Sequence, residues 1–119
     1  MAAPLDQAFA ALSDATRRDL VARLAIGDAT VGELAAPYDM SIQAVSKHIQ
    51  VLAEAGLVTK RPDAQRRLVH LEADVLRSLT DWVEHYARLA EQRYSRLDGL
   101  LVALNTPAAD RPYEPEETP

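Results

Sequence analysis

The stretch from Thr30 to Leu71, TVGELAAPYDMSIQAVSKHIQVLAEAGLVTKRPDAQRRLVHL, decides the fold. It opens on Thr30-Val31-Gly32-Glu33, a capping-box pattern in which threonine and glutamate satisfy each other's orphan amides at a helix start. That helix is short, because Pro37 stops it. After Tyr38-Asp39-Met40, Ser41 caps a second helix whose apolar positions, Val45, Ile49 and Leu52, recur at helical spacing, and Gly56 closes it. Leu57–Arg61 and Arg67–Leu71 then read as strands on either side of Pro62-Asp63-Ala64-Gln65, a turn-forming segment, and so form a hairpin.

Working outward toward the N-terminus, Leu5, Ala8, Phe9 and Leu12 repeat at helical spacing, with Pro4 suited to a first helical position. Ser13 or Asp14 caps a second helix that carries Leu20, Val21 and Leu24 to the core, with Ile26 as a further candidate. Gly27 stands where a helix C-terminus wants it. Toward the C-terminus a long helix runs from Ala73 to about Leu104, with Leu76, Leu79 and Trp82 close enough to the domain to be explained as core. From Asn105 onward the chain is acidic and carries Pro107, Pro112, Pro115 and Pro119, a composition expected to be disordered. The expected fold class is mainly α with a small β-hairpin wing, a winged helix-turn-helix in the order α-α-α-α-β-β-α, dimeric. Residues 1–104 are expected to be one domain, and 105–119 an acidic, proline-rich tail.

Composition agrees. The chain has 119 residues, the size of one domain, and is 48% apolar but only 5% aromatic, so its core must be mostly Leu, Val, Ile and Ala. That favours packed helices over a β-sandwich. The absence of cysteine excludes disulfides, thiolate metal sites and cysteine nucleophiles. No basic region precedes an apolar run at the N-terminus, where Asp6 interrupts, so no signal peptide is expected. No apolar run approaches the ~20 residues of a membrane span. The expected location is cytoplasmic, with no membrane partner.

The net charge of −5 speaks at first against a nucleic-acid partner, but its distribution matters more. Between Ser41 and His70 stand Lys47, Lys60, Arg61, Arg66 and Arg67 against only Glu54 and Asp63. The last fifteen residues hold Asp110, Glu114, Glu116 and Glu117 against Arg111. A negative chain with that distribution can still present a positive face, with weak non-specific binding expected.

A helix-turn-helix needs one helix to brace the unit and another to enter the major groove by its N-terminal half. With Val45, Ile49 and Leu52 turned inward, Gln43, Ser46, Lys47 and Gln50 lie on the outer side of the helix that Ser41 caps. Glutamine makes bidentate bonds to adenine, serine reaches base or phosphate, lysine contacts guanine or phosphate, and Ala44 has room to meet a thymine methyl. Lys60, Arg61, Arg66 and Arg67 around Asp63 suit a wing that touches backbone or minor groove, and Arg17 and Arg18 are lesser phosphate candidates. Taken singly, a polar helix face with one lysine is as well explained by solvent. The order of elements, with cap, turn and stop each in place, is what favours DNA.

The chain resembles the ArsR/SmtB winged-helix repressors over roughly Leu5 to Leu101. The resemblance is carried by Phe9-Ala10-Ala11-Leu12-Ser13-Asp14-Ala15-Thr16-Arg17-Arg18, by Val31-Gly32-Glu33-Leu34-Ala35, and by Ser46-Lys47-His48-Ile49-Gln50-Val51-Leu52-Ala53-Glu54-Ala55-Gly56-Leu57-Val58. Trp82 fits as well, while many members have proline where Ala15 stands. The resemblance implies a dimeric repressor on a palindromic operator, with Gln43, Ala44, Ser46 and Lys47 near the bases. His48, next to the inward Ile49, is either a packed histidine or one that also reaches a phosphate.

Many relatives release DNA on binding metal. Their thiolate sites cannot exist here. Asp81 and His85, one turn apart on the long helix with Glu84 nearby, match only half of the family's other site, and zinc wants four ligands. A surface pair, or His85 packed on Tyr86 and Leu89, explains them better, so no metal site is expected. No cofactor is expected and no effector is named by the sequence. Ser46 and His48 do not face each other on a helix, and no nucleophile, base and orienter come together, so enzyme activity is not expected.

A helix of about thirty residues extends ~45 Å, longer than one small winged-helix domain covers. Its stripe of Tyr86, Leu89, Tyr94, Leu97, Leu100 and Leu101 therefore needs a partner, most simply a second copy, with Leu5, Phe9 and Leu12 of the first helix contributing. Two alternatives stay open: a metal-responsive repressor using Asp81 and His85, and a winged helix that binds another protein instead of DNA.

Overall fold

The computed structural model describes residues 4–105. Five helices and a two-stranded antiparallel hairpin follow in the expected order: α1 (Pro4–Ala11), α2 (Ala15–Leu24), α3 (Val31–Ala35), α4 (Ile42–Glu54), β1 (Val58–Asp63), β2 (Arg66–Leu71) and α5 (Ala73–Asn105). The described residues divide into two compact units, with the boundary between Trp82 and Val83 inside α5. The expected tail at 106–119 lies outside the described residues, and Asn105 belongs to α5 rather than to that tail.

In the first unit α2, α3 and α4 each start on a side-chain cap. Asp14 accepts from the Arg17 amide at 3.0 Å, so Asp14 and not Ser13 begins α2. At α3 the reciprocal capping box is complete, with Glu33 N–H donating to Thr30 Oγ1 at 3.1 Å and Thr30 N–H to Glu33 Oε1 at 3.0 Å. Ser41 accepts from the Ala44 amide at 3.1 Å to open α4. The end of α4 forms both bonds of a Schellman motif, Gly56 N–H to Ala53 O and Leu57 N–H to Leu52 O, at 3.0 and 2.9 Å. Gly56 holds φ +77°, and an added Cβ would stand 3.2 Å from Val75 Cγ2, so both conformation and space call for glycine.

The core gathers Leu20, Leu24, Leu34, Val45, Ile49, Leu52, Leu57, Val58 and Val69 from α2, α3, α4, the connection after α4 and the hairpin. Val45, Ile49 and Leu52, the inward row of α4, have no exposed surface. Three expectations are corrected. Ile26 is 91% exposed, because α2 ends at Leu24 with Ala25 as its cap and the chain turns away before residue 26. Gly27 accordingly lies past the cap and keeps no positive φ. Trp82 is not a core residue but 45% exposed, its ring packed edge-on against Phe9 at 5.3 Å between centroids.

The hairpin is longer and its turn tighter than expected. The strands run to Asp63 and from Arg66, in register Val58↔Leu71 through Asp63↔Arg66, leaving only Ala64 and Gln65 as the turn. Ala64 takes φ +56°, which two-residue hairpin turns demand and alanine adopts at a cost. A backbone bridge between Ala29 and Val69, closed by bonds of 2.8 and 3.4 Å, ties the segment before α3 to the hairpin. No periodicity in the sequence announces that bridge.

Candidate nucleic-acid interface

The helix-turn-helix is α3, the connection Ala36–Ser41 and α4. Arg23 of α2 braces it by donating to Leu34 O at 2.7 Å and Glu33 O at 3.2 Å, carbonyls at the end of α3 that lack helical partners. Its guanidinium also lies 5.4 Å from the Tyr38 ring centroid. Tyr38 Oη donates to Asp19, and burial first and this bond second raise the phenol's pKa above its ordinary value. The end of α3 and Tyr38 in the turn after it are thus fastened to α2.

On α4 the inward row leaves Gln43, Lys47 and Gln50 exposed, with Ala44 and Ser46 half-buried beside them and Ser41 exposed at the cap. Lys47 has no acidic partner within ion-pair distance among the described residues. Gln50 donates to Glu54 Oε1 at 3.3 Å. The helix N-terminus points its first amides outward except where Ser41 takes one, a geometry that favours an anion.

His48 is the residue that the structure resolves beyond the sequence. It is half-buried on α4, with Nδ1 3.2 Å from Arg17 Nη1 and 3.8 Å from Asp14 Oδ2. A guanidinium only donates, so Nδ1 accepts and the neutral ring carries its proton on Nε2. Arg17 also donates to Ala11 O at 2.6 Å and Ala10 O at 3.4 Å. Arg18 donates to Leu12 O at 2.8 Å. Both arginines thereby fasten the end of α1, and Arg17 links it to α4. Asp14 is held below the ordinary carboxylate pKa, chiefly by the Arg17 amide working against burial, with smaller help from the Arg17 charge and the Thr16 amide.

The wing's four cations fall into two pairs. Side chains of paired residues share a face of the ribbon and alternate along each strand. Arg61 and Arg66 therefore lie on the face of Thr59 and His70, and Lys60 and Arg67 on the opposite one, which continues the row of Val58 and Val69. The first pair is compensated, Arg66 by Asp63 at 3.0 Å and Arg61 by Glu72 at 3.6 Å. Glu72 also accepts from Thr59 Oγ1 at 2.7 Å, the main cause of its lowered pKa. Lys60 and Arg67 have no such partner among the described residues. At the wing's base His70 Nδ1 meets Asp28 Oδ1 at 2.8 Å.

Of the remaining candidates, Leu12 packs against the unit's own core and Leu5 is half-buried, while Phe9 is 41% exposed. In the second unit Tyr86, Leu89, Tyr94, Leu97, Leu100 and Leu101 are all exposed, and a shallow groove runs along Tyr86, Leu89, Ala90, Arg93, Tyr94 and Leu97. His85 packs edge-on against Tyr86 at 4.9 Å, and Asp81 is exposed. No group of three or more His, Asp or Glu among the described residues is placed to hold a metal ion. No described helix is long and apolar enough to cross a membrane.

Known proteins share this architecture. A family model described as a helix-turn-helix domain matches residues 12–61. The chain is 41% identical over 92 residues to the HTH-type transcriptional regulator Rv2034 of Mycobacterium tuberculosis, covering 77% of this chain and 86% of that one. The crystal structure of the ArsR family transcriptional regulator RHA00566 superposes with a TM-score of 0.69 at 34% identity, over 75% of this chain and 98% of its own. The homodimeric winged helix-turn-helix DNA-binding domain of Mb0332 from Mycobacterium bovis, solved by NMR, superposes with a TM-score of 0.58 at 27% identity, over 71% of this chain and 79% of its own. With the capped helix-turn-helix, the paired wing and these likenesses together, the chain belongs to the ArsR family of helix-turn-helix transcriptional regulators.

Proposed function

We propose that the protein is a repressor that binds an inverted-repeat operator in double-stranded DNA as a homodimer. Residues 1–104 supply both the DNA-binding and the dimerisation surfaces. The observation that carries this reading is α4: one face without exposed surface, the other presenting Gln43, Lys47 and Gln50 beside a free helix N-terminus. Gln43 and Ala44 approach the bases, and Ser41, Ser46 and Lys47 fix the helix against base edges and phosphates. Lys60 and Arg67, the uncompensated pair, carry most of the wing's attraction for phosphate, and Arg61 and Arg66 contribute less. His48 acts mainly by holding α4 against α2, with Nε2 left to donate to a phosphate.

Dimerisation follows from the apolar stripe of α5, which a second copy of α5 covers, with Phe9 and Leu5 also given to the partner. Two recognition helices then enter successive major grooves ~34–36 Å apart. A dimer seated on a promoter represses by occupying it. Operator binding requires no enzymatic step and no cofactor.

The test is binding to a labelled fragment of the gene's own promoter, at several salt concentrations and against unrelated DNA. Binding that survives competitor, weakens steeply with salt and protects two half-sites one helical turn apart supports the reading. If a genome-wide selection of bound fragments also enriches nothing, the helix-turn-helix serves a protein partner and the proposal fails.

A further inference from the structure

Ile42 is the first residue of α4, directly after the Ser41 cap, and it is 57% exposed. Of the other large apolar residues of this helix, Val45, Ile49 and Leu52 have no exposed surface, and Val51 keeps 37%. Ile42 belongs neither to the core cluster nor to the side chains packed against it. A β-branched residue also gains nothing for helix propensity at this place. Folding of the isolated chain therefore does not account for it.

Its position does. Residues four apart are neighbours on a helix surface, so Ile42 heads the row that continues to Ser46, alongside the row of Gln43, Lys47 and Gln50. The N-terminal residues of a recognition helix are those that reach base edges in the major groove. In that groove the thymine methyl is the one apolar group that a base pair offers, and aliphatic side chains meet it by contact alone.

We propose that Ile42 is a specificity-determining residue that selects a thymine in each half-site through its 5-methyl group. The inference rests on the operator-binding reading and extends it to the chemistry of one base. The selected thymine lies near the base read by Gln43, because the two residues are consecutive in the first turn of α4. Ile42 thus adds discrimination between thymine and cytosine at a position where Gln43 and Lys47 do not supply it.

The test uses the full chain and the operator fragment enriched by selection. Each thymine of a half-site is replaced in turn by deoxyuridine, which pairs identically but lacks the methyl. The wild-type protein is expected to lose about fourfold in affinity at one of these positions, the worth of one buried methyl-sized group. Ile42→Ala is expected to bind the unmodified operator more weakly by a similar factor and to be indifferent to deoxyuridine at that position. Ile42→Val should keep part of the sensitivity, which loss of helix stability would not explain. If no thymine is sensitive in the wild type, or if Ile42→Ala responds to deoxyuridine as the wild type does, the assignment of Ile42 is overturned while operator binding stands. If no fragment is enriched, the operator reading falls and this inference falls with it.

Discussion

Leu52 and Leu97 are the same residue type on helices of one chain, yet Leu52 has no exposed surface and Leu97 keeps 50% of its own. The contrast extends to their surroundings. Around Leu52 the chain supplies Leu20, Leu34, Ile49 and Leu57 as cover. Beyond Val83, α5 offers Tyr86, Leu89, Leu100 and Leu101 with no second element of the described chain in the same unit. The first unit turns its apolar residues into its own core. The second displays them, and burying a leucine stabilises by about 1.5–3 kcal/mol wherever the cover comes from.

The sharpest way to break this comparison is to charge the stripe. Leu97→Glu combined with Leu101→Glu is expected to shift the protein from two-copy to one-copy mass in sedimentation. Operator affinity should fall by at least about 100-fold, since two half-sites are no longer held together. A variant that sediments and binds as the wild type does would show that the stripe serves something else. Next in size, Leu52→Ala should lower unfolding stability by about 2–5 kcal/mol in urea titration, as a cavity opens in a filled core. Leu97→Ala, measured in dilute single-copy protein, should change it far less. Equal effects of the two would erase the distinction between the units.

Smaller changes sharpen the picture within the first unit. Thr30→Ala removes one half of the capping box and should cost about 1 kcal/mol by urea unfolding, whereas Thr30→Ser should retain most of it. In the wing, Lys60→Ala or Arg67→Ala should reduce the slope of log affinity against log salt by about 1 for each phosphate left unneutralised. Arg61→Ala and Arg66→Ala should change that slope less, because Glu72 and Asp63 already compensate these charges. The smallest expected effect is one of pH. Glu33 is held below its ordinary value of 4.5, first by the Thr30 amide and then by the Thr30 hydroxyl. A depressed folded pKa means that its contribution is present above 4.5 and lost as the pH falls through the lower folded value. The melting temperature of the wild type should therefore drop more steeply below that pH than that of Glu33→Gln. Identical acid limbs would show that the capping carboxylate adds nothing.

Most of the helix-turn-helix was legible in the residues. Thr30, Glu33, Ser41 and Gly56 act locally, through bonds that reach only a few residues along the chain, so their order alone announces α3 and α4. Val45, Ile49 and Leu52 carry the helical period, and the period points them inward. The errors lie where a local signal competes with a longer reach. Pro62 and Asp63 look like turn residues, but cross-strand pairing with Arg67 and Arg66 draws them into β1. Trp82 looks like core, but its large ring finds Phe9 at the margin instead.

The sequence by itself determined where α3 and α4 begin and where α4 ends, which face of α4 is apolar, and the absence of any thiol chemistry. These depend on side-chain type and spacing within a few residues. Only the tertiary structure decided which cations remain uncompensated, that His48 is tied to Arg17 and Asp14 across an interval of more than thirty residues, and that Ile42 is left bare at the head of the recognition helix. Such facts depend on which distant groups arrive within hydrogen-bonding or van der Waals range, and no spacing along the chain encodes that range.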